Sequence, residues 1–396
     1  MPNVLVSGAS VAGPALAYWL GRGGWDVTVV ERFERLRDGG QNVDVRGAGR
    51  EVVRRMGLED AALAAGTGET GTEIVDDSGR SLAYAPQGGG DSDGWTADME
   101  ILRGELSRLL HDRSAEHARY VFGDEITALD DRDGGVDVTF RGGGQERFDV
   151  VVLAEGLSSR TRDLVFPGVR PRHLGLCMAY LTIPRTSADN DRWRWYQAGA
   201  GRTATLRPDN TGTIRATLSF LTDARGLEDL TPSDQAHVLR RTFHDAAWEV
   251  PRVLDALDTA PFYFESTGQV RLPAWSRGRI ALLGDAAYCA SPLSGMGTTL
   301  ALTGAYVLAG QLTTNPHAAA FAHYERVMRP YVVKAQHLPP GTPRLAHPRT
   351  PLGVRSLRTA AKLATSPPAR TLTRLTRRVP APAEKFTLPD HPSPGR

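Results

Sequence analysis

Cysteine, lysine and long apolar runs are all scarce in this chain. Two cysteines, Cys177 and Cys289, occur in 396 residues. They make no disulfide framework and suit a reducing, cytoplasmic setting. Lysine occurs only as Lys334, Lys362 and Lys385, so nearly every basic residue is Arg, which reads as a GC-rich genome rather than as chemistry. Net charge is +2, too balanced for the footprint of a nucleic-acid binder. No span of about 20 apolar residues is free of polar interruption, so no membrane helix is expected. The N-terminus lacks the basic region of a signal peptide, and no internal repeat is visible. At 41% hydrophobic and 23% charged the composition is that of an ordinary soluble protein, long enough for two domains or one discontinuous one.

What is present is organised around Val4 to Arg32, VLVSGASVAGPALAYWLGRGGWDVTVVER. An apolar run ends at Gly8. Pro14 to Leu20 has helical composition and is stopped by Gly21, Gly23 and Gly24. Asp26 to Val30 is β-branched and closes on Glu31. The spacing predicts a βαβ unit. Its turn, Gly8-Ala9-Ser10-Val11-Ala12-Gly13, is a G-x-G-x-x-G with Ser10 in the middle. The first glycine permits the tight turn, the middle residue lets a pyrophosphate approach, and the last lets helix and strand pack closely. The helix N-terminus offers N–H groups to phosphates. Glu31, about 20 residues on, stands where a ribose hydroxyl is gripped. The unit predicts dinucleotide binding.

Further along, Arg35 to Gly49 reads as a loop and Arg50 to Gly66 as helical. Glu73 to Tyr84 predicts strand, turn and strand; Gly88 to Gly94 is a flexible tip; Met99 to Asp112 is an amphipathic helix. Tyr120 to Phe140 alternates as a hairpin around Asp130 to Gly135, and Phe148 to Ala154 is a strand buried on both faces. Leu174 to Phe220 changes character, with alternating Thr, Arg and aromatics, and predicts a mainly antiparallel sheet. A helix starts at Thr231-Pro232-Ser233-Asp234. Arg279 to Leu283 is one more buried strand, followed by a second glycine-rich turn and a helix from about Thr298 to Leu312. Gly353 to Ala364 and Ala369 to Arg378 are possible helices with a solvated basic face, and the last dozen residues read as a tail.

Three stretches bear on function. In Ile101-Leu102-Arg103-Gly104-Glu105-Leu106 the arginine opens a helix near the nucleotide turn and suits a pyrophosphate contact. The others are Val151 to Arg162, VVLAEGLSSRTR, and Gly278 to Ala305, GRIALLGDAAYCASPLSGMGTTLALTGA. Together with Gly8 to Gly13, these ordered motifs over about residues 3 to 330 resemble the fingerprint of the group A FAD-dependent monooxygenases, the aromatic hydroxylases of the para-hydroxybenzoate hydroxylase fold. Within that family the likeness runs to the tetracycline-inactivating and polyketide-tailoring enzymes. The family's G-D motif, usually followed by A-A-H and P-x-x-G-x-G-x-N, is matched at Gly284, Asp285, Ala286, Ala287, Pro292, Gly295 and Gly297. The usual His is Tyr288, the usual Asn is Thr299 and a later acid is Gly304. The D-G-x-x-S-x-x-R motif has Glu155 for Asp, with Ser159 and Arg162 matched.

The resemblance implies an α/β fold. A Rossmann-like FAD-binding domain (1–72, 98–169, 275–330) carries an inserted, mainly antiparallel β-sheet substrate domain (73–97, 170–274) and a C-terminal helical segment and tail (331–396). It implies FAD held by Gly8, Ser10, Gly13, Glu31, Arg32, Asp44, Arg103, Asp285, Gly295, Met296 and Gly297, with Asp44 at the flavin-ribose position. Substrate contacts would fall at Met178, Arg202, Arg215, Pro292 and Leu293; the bland alternative makes Arg202 and Arg215 outward residues of a sheet. Trp193, Trp195, Tyr180, Tyr196 and Phe220 offer flat apolar surface. The implied activity is NADPH- or NADH-driven hydroxylation of a polycyclic phenol or enol by O₂ through a flavin C4a-hydroperoxide, with no essential acid or base nominated and no metal. The implied partners are a small aromatic or polyketide substrate and O₂, with neither nucleic acid nor membrane, in a cytoplasmic monomer or weak homodimer.

Three other readings compete. Trp193-Arg194-Trp195 resembles part of the halogenase W-x-W-x-I-P, but Tyr196-Gln197 follow and the lysine that chemistry needs is missing before Lys334. Baeyer–Villiger oxidation or epoxidation on the same fold stays open. So does a non-catalytic flavoprotein that sequesters its ligand, to which Glu155 and Tyr288 give most support.

Overall fold

The computed structural model describes residues 1–37, 39–87, 97–339, 341–366 and 386–390. The expected tip at Gly88 to Gly94 and the expected helix Ala369 to Arg378 lie outside these residues.

The first half of the chain runs β1 (Asn3–Ser7), α1 (Ala12–Arg22), β2 (Asp26–Glu31), β3 (Asn42–Asp44), α2 (Gly47–Arg55) and α3 (Glu59–Ala64). It continues through β4 (Gly71–Val75), β5 (Ser81–Pro86), β6 (Glu100–Leu102), α4 (Arg103–Ser114) and β7 (Arg119–Phe122). Then come β8 (Ile126–Arg132), β9 (Gly135–Phe140), β10 (Gln145–Phe148), β11 (Val150–Leu153) and α5 (Arg162–Val165). The second half has β12 (Arg172–Pro184), β13 (Trp193–Gly199), β14 (Arg202–Pro208), β15 (Thr213–Leu221), α6 (Pro232–Phe243), α7 (Val250–Asp255) and β16 (Phe262–Gln269). It closes with β17 (Ser276–Arg277), β18 (Ile280–Leu282), α8 (Asp285–Tyr288), α9 (Gly297–Thr314), α10 (His317–Gln336) and α11 (Pro351–Ala364).

A six-stranded sheet, β17-β18-β11-β1-β2-β7, is parallel except at the β17 edge. β1, β11 and β18 are short aliphatic runs buried almost throughout, as a parallel sheet covered by helices on both sides requires. α9 is buried on nearly every side because α1, α2 and α10 surround it. This sheet is what aims the βα turns at one edge, where open α/β sheets bind ligands.

The second sheet, β16-β12-β15-β14-β13-β4-β5, is antiparallel except where β13 meets β4. Period two divides its residues. Ala179, Leu181, Ala204, Leu206, Ala216 and Leu218 pack on Leu239, Phe243, Val250 and Val253 of α6 and α7. The opposite face carries Met178, Tyr180, Thr182, Arg207, Arg215 and Glu265 and turns toward the α/β body, for Arg207 bridges to Glu100 of β6. α11 lies on that same face at the far end, with Ala361 beside Ile74, Ala83 and Trp195 and Arg358 Nη2 donating to the Gln197 carbonyl at 3.2 Å.

The architecture is the expected one, an α/β fold whose mainly parallel sheet carries an inserted, mainly antiparallel sheet and a C-terminal helix. Several local expectations are corrected. The hairpin around Asp130 to Gly135 is β8 and β9, which turn between Arg132 and Gly135, but Tyr120 to Phe122 is not part of it: β7 pairs in parallel with β2. Glu100 to Leu102 is strand, not helix, because it pairs with β3 inside the expected loop; the Arg103 N–H extends that ladder to the Gln41 carbonyl before the helix begins. Tyr196 and Phe220 belong to the helix-covered core rather than to a surface open to ligand.

Candidate flavin site and the facing sheet

A cleft opens at the carboxyl ends of β1, β2 and β11. Its lining includes Gly8, Ser10, Glu31, Arg32, Arg37, Arg103, Asp285 and Gly297. Gly8 has φ +109°, and a Cβ there would sit 2.6 Å from the Ala154 carbonyl oxygen; only glycine suits such a position. A Cβ on Gly13 would fall 1.9 Å from the Gly8 carbonyl oxygen, so the turn and α1 touch backbone to backbone. Ser10 is accommodated, its Oγ lying 3.4 Å from Ser107 Oγ. The Glu31 carboxylate accepts from the Ala9 N–H at 2.8 Å and the Phe33 N–H at 3.2 Å, which fixes it at the end of β2. Arg32 and Arg37 lie over the Phe33 ring at 5.0 and 4.6 Å.

Asp285 follows Gly284, whose φ is +64°, and lines the far end of the cleft. Burial pushes its carboxyl up, while Cys289 and the Arg103 guanidinium oppose that shift. The next turn is strained: Ser291 has φ +84° without being glycine, and its Oγ accepts from the Leu293 N–H at 3.1 Å. Gly295 is left-handed, Met296 is buried at the start of α9, and Gly297 lies on the cleft. Pro292 is exposed and Leu293 half-buried beside them.

The departures from the family pattern have structural roles. Glu155 accepts from the hydroxyls of Ser7 at 2.5 Å, Ser159 at 2.7 Å and Thr161 at 2.7 Å, bracing the ends of β1 and β11. Arg162 is buried and donates to the carbonyls of Ala286 at 3.2 Å and Leu157 at 3.0 Å, tying the two motifs together. Thr299 Oγ1 accepts from the Arg46 N–H at 3.1 Å. The buried Tyr288 hydroxyl accepts from Tyr324 at 3.0 Å.

Not all the expected site residues gather here. Asp44 stands apart from the cleft lining and pairs with Arg46 at 3.1 Å, with Arg207 at 3.8 Å. Arg202 is on the helix-covered face, where it donates to the Thr242 carbonyl at 2.7 Å and pairs with Asp245; that corrects its assignment to substrate. Arg215 and Met178 are on the cleft-facing side, but Arg215 is engaged by Asp209 at 2.8 Å and Thr182 at 2.6 Å.

The sequence reading missed two clusters on that side. Arg207 bonds Glu69 at 2.6 Å and Glu100 at 2.9 Å under the Trp193 ring, which lies 4.1 Å from its guanidinium carbon. Desolvation pushes both glutamates up more than Arg207 pulls them down. Tyr180 donates to Glu265 at 3.0 Å. Burial pushes the Glu265 carboxyl up as well, against hydrogen bonds from Tyr180 and Tyr263. Alternation was the available signal for Arg207, since the face carrying Ala204 and Leu206 cannot also carry residue 207. Trp193 and Trp195 share a face as expected, with ring centroids 4.7 Å apart.

Among the described residues no His, Cys, Asp and Glu grouping fits a metal ion, and no helix is long and apolar enough to cross a membrane. Both cysteines are free and buried.

Residues 1–321 match the model of a family described as FAD binding domain. An uncharacterized protein of Mycobacterium tuberculosis, Rv1260, is 38% identical over 348 residues, covering 85% of this chain and 92% of its own length. The flavin-dependent monooxygenase eupH of a Phoma species is 36% identical over 397 residues, covering 91% of each. Among solved structures, the tetracycline destructase Tet(51) superposes with a TM-score of 0.80 at 28% identity, over 99% of this chain and all of its own.

Proposed function

The chain belongs to the FAD-binding-domain family of group A flavin-dependent monooxygenases, and from that membership we propose that it uses NAD(P)H and O₂ to hydroxylate a polycyclic phenol or enol of the aromatic polyketide or tetracycline class. The cleft suits FAD on its own geometry: a turn whose Gly8 and Gly13 leave no room for a Cβ, an acid at the end of β2, and a carboxyl, Asp285, at the opposite end. The Gly8–Gly13 turn and Arg103 would hold the pyrophosphate, Glu31 an adenosine ribose hydroxyl and Asp285 a ribityl hydroxyl. The Gly295–Gly297 backbone with the α9 N-terminus would take the carbonyl side of the ring. FAD, when bound and reduced, supplies the oxygen-activating chemistry.

The observation that carries the substrate class is the sheet face opposite this cleft. It carries Met178, Tyr180 and Thr182, and its arginines, Arg207 and Arg215, are already neutralised by acids; at its end Trp193 packs on Arg207 and Trp195 on Ala361 of α11. A face of that kind suits a large planar molecule with hydroxyl and carbonyl edges better than a small carboxylate, which needs a free cation. The chain's part in the reaction is then to hold the substrate carbon near the flavin, exclude water and favour an ionised oxygen. Relatives named for flavin-dependent oxygenation, and a neighbour named for tetracycline destruction, support the reading. Steady-state NAD(P)H consumption against a panel of polycyclic phenols, with product mass analysis, tests it. Ligand-stimulated consumption is expected; a protein that binds the ligands without it sequesters them instead.

A further inference from the structure

The two acid–arginine pairings on the cleft-facing side of the sheet leave one acid over. Glu265 forms no ion pair among the described residues, and Tyr180 donates to its Oε1 at 3.0 Å. The pair sits on adjacent strands in register, β12 and β16, where Met178 faces Glu265 and Tyr180 faces Tyr263. The Tyr180 and Tyr263 rings stack at 6.2 Å. Tyr180 and Glu265 both lie on the sheet face that turns toward the α/β body, the face whose Arg207 bonds Glu100 of β6, three residues before Arg103 of the cleft. Tyr180 and Glu265 are each partly accessible, so they border open space rather than dry core.

A tyrosine hydroxyl has one proton and lone pairs that accept. Tyr180 gives its proton to Glu265, with the Met178 sulfur as a weak second acceptor at 3.3 Å. Toward the open side it is then an acceptor only. Thr182, two residues along the same face, is reversed. Its Oγ1 accepts from Arg215 Nη1 at 2.6 Å, which leaves its own proton for a partner. Tyr180 thus offers an acceptor and Thr182, two residues on along the same face, a donor.

We propose that Tyr180, with its hydroxyl oriented by Glu265, is a specificity-determining residue that accepts a hydroxyl or N–H donor of the substrate and rejects the same molecule once that donor is alkylated. Glu265 is the positioning residue. A free phenol satisfies the Tyr180 lone pair; a methyl ether sets two acceptor oxygens face to face in an enclosed site, where an unpaired polar group is costly. The inference rests on the proposed substrate class and on this sheet face as the wall of the substrate site.

The test titrates 2-hydroxyanthraquinone and 2-methoxyanthraquinone, a fused-ring phenol and its methyl ether, into the FAD-loaded protein and reads flavin fluorescence. The native protein is expected to prefer the phenol by about tenfold or more. Tyr180→Phe should bring the ratio near one by weakening the phenol. Glu265→Leu should also collapse it, by freeing the Tyr180 proton to donate to the ether. Glu265→Gln should keep the preference, because its amide oxygen still accepts. A merely structural role for Glu265 does not predict that split between Leu and Gln, and if Glu265→Leu fails to fold, Tyr180→Phe and Glu265→Gln carry the test. An unchanged preference in Tyr180→Phe overturns the proposal. Binding of both probes without preference overturns it while leaving the substrate class standing; binding of neither overturns the substrate class and this inference together.

Discussion

The Tyr288 hydroxyl occupies the space that a side chain at residue 304 would need: a Cβ on Gly304 would lie 2.1 Å from Tyr288 Oη. In the sequence, Tyr288 and Gly304 stand as two separate departures from the family motif. In the fold they are one compensated change, with the larger ring on α8 accommodated by a missing side chain on α9. Gly304→Ala should therefore overpack the site and lower stability by about 1–3 kcal/mol. Tyr288→Phe removes the clashing oxygen at the loss of one hydrogen bond, about 1 kcal/mol. Urea unfolding of the double variant should show less destabilisation than the two single losses summed; simple additivity would mean that the residues do not share this space.

Asp285→Ala should weaken FAD without unfolding the protein. Loss of a charge-assisted hydrogen bond is worth about 1.5–3 kcal/mol, roughly tenfold to a hundredfold in affinity. Tyr288→Phe should leave FAD affinity near wild type, since its hydroxyl is turned to Tyr324. Equal FAD affinity in wild type and Asp285→Ala, read by flavin fluorescence, removes the ribityl role.

Much of this was legible before the fold was known, and the line between legible and hidden is physical. Residues of the glycine turn, Glu31, Arg103 and Asp285 meet at one cleft, and each stands at a strand end or helix start that its own neighbours specify. The acids of the Arg207 cluster come from three separated stretches, at Asp44, Glu69 and Glu100; no local pattern brings them together. Arg202 was misplaced for a different reason. In a strand, one residue of offset exchanges faces, and the irregular register between Gln197 and Gly199 hides which parity faces the cleft. Glu155, an anomaly in the motif, proves to be the acceptor for three hydroxyls, a role only the assembled strand ends disclose.

Glu155→Ala should accordingly act on stability. Stranding three hydroxyls is expected to remove about 2–4 kcal/mol. The KM for NAD(P)H of the folded fraction should stay near wild type, because the Glu155 oxygens are engaged inside the protein. A changed KM with unaltered thermal stability would assign Glu155 to the reductant instead.

Glu69 makes stability depend on pH. Burial holds its carboxyl above the ordinary glutamate value despite Arg207. Where the folded pKa exceeds the unfolded one, the fold keeps a proton that the unfolded chain has released, so stability falls as pH rises between the two values and levels off above the higher. Glu69→Gln should flatten that fall. Comparing urea midpoints at about pH 5 and about pH 8 checks it; an equal fall in wild type and variant would place the pH dependence elsewhere.

The central claim, that the chain is an FAD-dependent oxygenase acting on a polycyclic phenol or enol, is tested most directly by turnover under ¹⁸O₂ with NAD(P)H and the ligand that best stimulates its consumption. The account predicts a product carrying one ¹⁸O atom, formed in step with NAD(P)H oxidation by protein whose yellow cofactor is released by acid as FAD. Release of FMN, or ligand binding with no labelled product while NAD(P)H is untouched or yields only hydrogen peroxide, would contradict it.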